Sequence, residues 1–248
     1  MNESESKIIN LTSPPAMEVV FEILIKEDNE FQVSRLLTED KEFRNRFPAI
    51  ENIRMFEGQI PVDENKEGAL INKLYGYTYK SADGKELAQF RSNGFAYNKL
   101  GDYPGGDEYI KSALSAWALY AKCNPNASIT RLGLRFINVI TVNGFDGDYQ
   151  KYFWVYLNHS DAIGNIDMFQ YRYSKDFPEL GCKAVVGFNP AASTESNQAK
   201  FLFDIDVLKD GNVAKDEMSI NDAFMLMRNC KNMIFFATLN NKLLEQYK

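Results

Sequence analysis

The sequence predicts an α+β protein made of two halves that share the element order β-α-β-β-β-α, with an antiparallel sheet backed by two long helices. A strand-like segment opens each half, at about residues 17–25 and 129–142. Each half then continues with a short helical segment, three strands and a long amphipathic helix. Identity between the halves is very low, so the predicted duplication about a pseudo-two-fold axis is based on element order. Two unrelated α+β modules are the alternative.

In the first half, residues 17–25 alternate apolar side chains with a second face that carries Glu18 and Glu22, as expected of a strand. Residues 31–43 are expected to form a short amphipathic helix. Three strands follow, at about residues 53–60, 74–80 and 86–100. Asp83-Gly84 predicts a hairpin turn between the last two. A helix with apolar residues at helical spacing then runs to about Cys123.

The second half repeats this order. Its strands are predicted at about residues 129–142, 165–173, 181–189 and 199–209. An aromatic-rich short helix is expected over residues 148–158. Ser219 is expected to cap the long final helix, with Asp222 in the capping-box position. Residues 13–126 and 127–248 are therefore predicted to be the two halves of one unit, preceded by a flexible arm of residues 1–12.

Charged residues predict how the two leading strands pair. Glu18 and Glu22 recur four residues apart, as do Arg131 and Arg135, so each pair lies on one face of its strand. Antiparallel pairing with Glu18 opposite Arg135 would also place Glu22 opposite Arg131. Such pairs contribute roughly 0.2–1 kcal/mol each and would fix the register. The alternative is that the two arginines form an anion or carboxylate receptor on a concave sheet.

Composition limits the class of protein. The 248 residues are 45% hydrophobic and 25% charged, which is typical of soluble globular chains, and the net charge of −6 makes binding of nucleic acid or anionic membranes unlikely. No apolar run approaches the ~18 residues of a membrane span, and the polar N-terminus is unlike a secretory signal. Three widely spaced cysteines predict reduced thiols. We therefore expect a cytoplasmic protein.

Four segments carry a resemblance to a known family. Residues 11–18 contain Pro-Pro-x-x-Glu, residues 131–138 contain Arg-x-Gly-x-Arg-Phe-x-Asn, residues 95–103 contain aromatic-Asn-x-Leu-x-x-Tyr, and the last helix carries two phenylalanines before Thr238. The chain thereby resembles a sporadically distributed, uncharacterised bacterial protein family of about this length. Cys230 stands near the place where the family often has a histidine. The resemblance implies a bacterial or phage-borne protein with a role in a defence or mobile-element system, and it implies no activity.

Signs of catalysis, metals or cofactors are weak. His159 lies in a polar turn, and no Walker loop, GxSxG or GxGxxG motif is present. Asp204 and Asp206 share a strand face and could bind Mg²⁺ or Ca²⁺ with Asp167. The same alternation is typical of any half-solvated strand, so we predict no catalytic residue, no metal and no cofactor.

Tyrosines on the strands suggest recognition of a protein or peptide, because they offer apolar area together with a hydroxyl group. We therefore predict a non-enzymatic recognition protein that uses an open sheet face or an exposed edge. A small-molecule or anion sensor at Arg131 and Arg135 is the alternative, and an enzyme of unknown class is the third reading. A homo-oligomer is also left open. The candidate binding residues are Arg131, Arg135, Glu18, Glu22, Tyr75, Tyr77 and Tyr97.

Overall fold

A computed structural model of the chain describes residues 11–26, 30–59, 69–156, 168–193, 197–211 and 213–248, together with residues 160, 162, 164 and 195. The strands are β1 (Ala16–Ile25), β2 (Ala49–Gln59), β3 (Ala69–Lys80), β4 (Glu86–Arg91), β5 (Gly94–Leu100), β6 (Ile129–Asn143), β7 (Tyr171–Phe177), β8 (Cys182–Ala191) and β9 (Gln198–Asp210). The α-helices of the described chain are α1 (Lys41–Arg46), α2 (Gly106–Cys123), α3 (Glu217–Thr238) and α4 (Asn241–Leu244).

The nine strands form one antiparallel sheet in the order β2-β3-β4-β5-β1-β6-β9-β8-β7, and the protein is therefore α+β as predicted. One face of the sheet is buried under helices, with α2 lying on β5 and α3 on β9, β6 and β8. Phe21 of β1 stacks on Phe224 of α3 with the ring centroids 3.7 Å apart. None of the described helices combines the length and the hydropathy that a bilayer crossing demands.

The two leading strands pair antiparallel at the centre of the sheet, but the predicted register is wrong. Val20 lies opposite Arg135 and Leu24 opposite Arg131, while Glu22 lies opposite Gly133. The strands are thus displaced by two residues from the arrangement that places acids directly opposite bases. A glycine beside Glu22 leaves room for its carboxylate to reach diagonal neighbours, which also interact across a sheet.

The alternation of apolar and polar residues predicts correctly which face of the sheet each side chain of these strands occupies, except at the start of β1. Val19, Phe21 and Ile23 are buried on the helix side, as predicted, and so are Leu132, Leu134 and Phe136 of the neighbouring strand. Met17 was also expected there, but its side chain is 48% exposed. It lies between Ala16 and Glu18, where the pairing of β1 with β6 has a register shift that interrupts the alternation.

The single strand predicted over residues 86–100 is in fact the hairpin of β4 and β5. Its two-residue turn precedes Gly94, which has φ of 150°. A Cβ on Gly94 would lie 2.2 Å from the carbonyl oxygen of Ile23 in β1. The turn residues are Ser92 and Asn93, and Gly94 opens β5 opposite Arg91, where the close approach of β1 requires a glycine.

Helix positions differ from the predictions in several places. The segment predicted as one helix over residues 31–43 forms a 3-10 turn, Val33–Leu36, followed by α1. The short helix predicted over residues 148–158 is a 3-10 turn at Tyr149–Lys151. Helix α3 begins at Glu217, and its N-cap is Asp216, whose carboxylate accepts from the Ser219 amide. Ser219 therefore lies inside the first turn and is not the cap.

Two further predicted segments, a strand and the N-terminal arm, lie partly outside the described residues. The strand expected at residues 165–173 is β7, which begins at Tyr171, and residues 165–167 lie outside the described part of the chain. Residues 1–10 of the predicted arm also lie outside it. Of the remaining two arm residues, Leu11 is half-buried against the core.

Replacing Gly94 tests the contact between the β4–β5 turn and β1. We expect Gly94→Ala to lower the free energy of unfolding more than Gly84→Ala, measured by urea denaturation. Both glycines have positive φ, worth about 1–2 kcal/mol for a side chain, but a Cβ at Gly84 meets no atom within 4 Å. At Gly94 the backbone of β1 must also move, which should add at least about 1 kcal/mol. Equal losses would contradict the packing described.

Candidate functional site

The two arginines proposed from the sequence are held by carboxylates on the open face of the sheet. Arg135 makes a bidentate pair with Asp204, with Nε 2.8 Å from Oδ1 and Nη2 2.6 Å from Oδ2. Arg131 Nη2 lies 3.1 Å from Glu22 Oε2, and the other oxygen of Glu22 accepts from Arg91 Nη2 at 2.8 Å. An anion at either arginine would have to displace a carboxylate.

Glu18, predicted to pair with Arg135, instead accepts a hydrogen bond of 2.7 Å from the side-chain amide of Asn98 on β5. The displaced register explains this, because residue 18 now lies opposite Ile137. Asp206 is the β9 residue opposite Arg135, and burial raises the pKa of its carboxyl group. The arginines therefore lie among acids that the sequence analysis placed elsewhere.

A cavity of about 170 Å³ opens on this face beside Arg135 and Arg172, but Asp204 and Asp206 line it as well. Its opposed charges leave little attraction for an anion. No group of three or more carboxylates, histidines or cysteines suited to a metal ion occurs among the described residues. His159 and Asp167, which were considered for chemistry, lie outside that part of the chain.

The predicted tyrosines do not form a binding surface. Tyr77 and Tyr97 are 8% and 1% exposed, because their strand positions point toward the helices. The hydroxyl of Tyr97 accepts from Arg46 Nη2 at 2.7 Å, which satisfies it inside the protein. Tyr75 is half-buried. The prediction that Tyr77 and Tyr97 contact a partner is therefore wrong, since an alternating strand also places tyrosines in a core.

A larger cavity, of about 300 Å³, lies on the helix side between the chain entering β1, the start of α2 and the second half of α3. The backbone fixes its walls. Val139 N donates to Pro15 O at 2.9 Å, and Gly101 N donates to Met17 O at 2.7 Å. Its lining residues are Leu11, Thr12, Pro14, Pro15, Ala16, Tyr103, Pro104, Gly105, Gly106, Phe136, Asn138, Arg228, Lys231, Asn232, Phe235 and Phe236.

Lys231 is the most unusual group in this cavity. Its ammonium lies 4.1 Å from the centre of the Phe136 ring and 5.8 Å from that of Phe235. It makes no hydrogen bond or ion pair to any residue that the structure describes. Burial, and to a lesser extent the nearby Arg228, lowers the pKa of Lys231 from 10.5 to about 7. The amine is therefore close to half protonated at neutral pH.

Arg228, one helical turn earlier on α3, provides the second cation. Its Nη1 lies 2.6 Å from Asp107 Oδ1 in the first turn of α2, and the Asp107 side chain is otherwise exposed to solvent. A Cβ on Gly106 would lie 2.1 Å from Arg228 Nε, so a glycine is required for the guanidinium to lie against the start of α2. While it is paired with Asp107, the Arg228 side chain still lines the cavity.

The start of α2 contributes backbone amides to the cavity, although its first turn also carries the carboxylates of Asp107 and Glu108. Its N-cap is Gly105, with φ of 102° and no side-chain hydrogen bond to the first turn. The first amide groups of a helix carry partial positive charge and lack partners within the helix. None of the described residues that line the cavity has a carboxylate. The site therefore combines two cationic side chains, a helix start and aromatic walls.

Neutral polar groups complete the lining. Asn138 is buried and its amide donates to Phe203 O at 2.9 Å, which fixes the side chain. Burial raises the pKa of Tyr103 to about 12, so its hydroxyl keeps its proton at neutral pH. The Tyr103 ring packs edge-on against Phe136 with centroids 5.4 Å apart.

The sequence analysis did not identify Lys231 or Arg228. One signal was present, because Lys231 directly follows Cys230 in the apolar stripe of the last helix and faces the same side as Phe235. A cation at the border of a buried helix face is unusual without an acid nearby.

The chain was compared with protein-family models, with curated proteins and with solved structures, and none of them matches it. The resemblance to a sporadically distributed bacterial family therefore stays a prediction.

A double-mutant cycle tests the charge pairs of the open face. We expect Arg135→Met and Asp204→Asn to be coupled by about 0.5–1 kcal/mol in urea unfolding, the range for half-exposed pairs. The matched cycle of Arg135→Met with Glu18→Gln should show weaker coupling, because Glu18 bonds to Asn98 and acts on Arg135 only through a small electrostatic interaction. A larger coupling to Glu18 than to Asp204 would support the register predicted from sequence and contradict the one described.

Proposed function

We propose that the protein is a non-enzymatic binding protein whose ligand is a small molecule bearing a carboxylate or phosphate, held by Lys231 and Arg228. The observation that carries this proposal is the pairing of two cationic side chains with a cavity whose described lining has no carboxylate. It keeps the anion sensor considered from the sequence but moves its site from Arg131 and Arg135, whose charges are already paired, to Lys231, which has no ion pair with a described residue. Arg228 beside it is paired with Asp107, whose side chain is exposed to solvent.

An anion would relieve an unfavourable feature of the free protein. Lys231 is half-buried without a charged partner among the described residues, so a bound anion would supply charge-assisted hydrogen bonds that its ammonium lacks. Such bonds contribute about 1.5–3 kcal/mol each. The aromatic walls at Phe136 and Phe235 would contact the apolar part of the ligand.

The size of the cavity favours a metabolite over a macromolecule. About 300 Å³ is at the lower end of the range for small-molecule sites, which are mostly apolar with a few polar groups that fix orientation. The cavity also receives residues from all four segments that carry the family resemblance, through Pro15, Tyr103, Asn138 and Phe236. If the resemblance is correct, these segments build a shared pocket in a bacterial defence or mobile-element protein.

Recognition of a protein or peptide partner is retained as the second candidate. It would use an edge of the sheet, since β2 and β7 are the outermost strands and each carries an exposed aromatic side chain, Phe56 and Tyr171. Unpaired strand edges accept an additional strand through backbone hydrogen bonds. An enzyme remains the third reading.

We infer that the two halves of the chain are repeats related by a pseudo-two-fold axis between β1 and β6. The strand order supports this, because β1-β5-β4-β3 on one side corresponds to β6-β9-β8-β7 on the other. In each half the long helix, α2 or α3, follows the strand next to the central pair. The first half has the additional edge strand β2, so its order is β-α-β-β-β-β-α. The cavity would then lie where the two repeats meet.

Ligand binding is tested by thermal unfolding with inorganic phosphate, citrate and pyruvate at matched ionic strength. We expect at least one of them to raise the melting temperature of the wild type, since a ligand at about 100 times its Kd stabilises by about 2.7 kcal/mol. Lys231→Met should remove this rise. Lys242→Met is the control, because Lys242 packs on Tyr152 outside the cavity. A rise that survives in Lys231→Met, or no rise with any of these anions, would contradict the proposal.

Affinity should also depend on pH. The free amine of Lys231 has a pKa of about 7, and a bound anion favours the ammonium, so the pKa rises in the complex. Binding then takes up a proton above pH 7, and the affinity should fall by up to about tenfold for each pH unit. Calorimetry in buffers of different ionisation enthalpy measures this uptake. Binding without proton uptake between pH 7 and 9 would contradict the assignment to Lys231.

A further inference from the structure

We propose that Lys231 captures its ligand covalently, as an imine with the carbonyl carbon of a small 2-oxo carboxylic acid. This inference deepens the proposed function and depends on it, because the carboxylate of the oxo acid would be the anionic group held in the cavity. Arg228, three residues earlier on the same helix, is placed to receive that carboxylate, since residues at this spacing are neighbours on a helix surface.

The surroundings of Lys231 suit an amine that acts as a nucleophile. A carboxylate in contact would hold the amine as ammonium, and none of the described lining residues supplies one. The face of Phe136 and the neighbouring Phe235 provide an apolar environment, and Arg228 is a second cation nearby. Desolvation together with an adjacent cation is the arrangement that activates lysine amines toward carbonyl compounds. The lowered pKa of Lys231 agrees with this arrangement.

The reaction needs no oxidant or reductant. The lone pair of the neutral amine forms a bond to the carbonyl carbon, and the π electrons of the carbonyl move to oxygen, which takes a proton. The nitrogen loses a proton to give a carbinolamine. The hydroxyl group is then protonated and leaves as water while the nitrogen lone pair forms the C=N bond, and the resulting iminium ion releases its nitrogen-bound proton. Amine and ketone thus become imine and water, and hydrolysis reverses both steps.

Neighbouring nucleophiles do not offer the same chemistry. Cys230 is the adjacent residue, but its thiol interacts with Cys182 of β8, away from the cavity. Burial, with Cys182 adding to it, raises the pKa of Cys230 to about 12, so the thiolate is absent at neutral pH. The hydroxyl of Tyr103 is likewise protonated. Lys231 is therefore the group in this part of the described chain that can attack a carbonyl.

Reductive trapping tests the inference. The full-length protein is incubated with pyruvate and sodium cyanoborohydride at pH 7, and the adduct is located by peptide mass mapping. A lysine with a pKa near 7 has a neutral fraction on the order of 10³ times that of an ordinary lysine at this pH. We therefore expect Lys231 to be labelled at least about tenfold faster than Lys242. Lys231→Arg, checked for folding by circular dichroism, should lose this adduct.

Butanone in place of pyruvate tests the role of the carboxylate, because it is also a ketone but bears no anionic group. The ratio of Lys231 to Lys242 labelling should fall at least about tenfold, the effect of losing about 1.4 kcal/mol of anion recognition. Equal labelling of Lys231 and Lys242 by pyruvate, or no adduct at Lys231, would overturn the imine. If phosphate or citrate still raises the melting temperature in that case, the anion-binding function stands without it. If neither adduct nor thermal shift is found, both proposals fail.

Discussion

The pairing of β1 with β6 is the constraint on which the rest of the structure depends. It joins the strands of the first half to those of the second, and its register determines which residues lie opposite each other along the β1–β6 pair. Ala16 lies opposite Asn138, so the Pro14-Pro15 segment reaches the wall of the cavity beside Phe136. A displacement of two residues would keep every side chain on its face but move this segment by about 7 Å. The cavity would then lose one of its sides.

Charged side chains have different partners on the two faces of the sheet. On the open face, Arg131 and Arg135 of β6 and Arg91 of β4 each form an ion pair with a carboxylate of another strand. On the helix side, Lys231 is half-buried against aromatic rings, which attract a cation through their electron-rich faces but do not replace an anion. Groups whose pKa is displaced by burial are often functional, because stability alone would favour an apolar residue there. The helix side is therefore the better place to look for a ligand.

Local patterns in the sequence were sufficient for the faces of β1 and β6 and for the approximate positions of α2 and α3. They could not fix the register, because a shift by two residues preserves the alternation of Phe21 and Glu22. They could not show whether Tyr77 and Tyr97 are buried or exposed, since tyrosine is common both at interfaces and in cores. The turn formed by Ser92 and Asn93 was missed, although both are common turn residues. The cavity could not be predicted, because it is assembled from segments that are distant in sequence and meet only through the sheet.

The most direct test of the account is the pKa of Lys231, measured by NMR of its side-chain carbon next to the amine, with Lys231→Arg to assign the signal. The account predicts a midpoint near pH 7 for the free protein, displaced upward when phosphate or citrate occupies the cavity. A midpoint near 10.4, the value of a solvated lysine, that no anion displaces would contradict it.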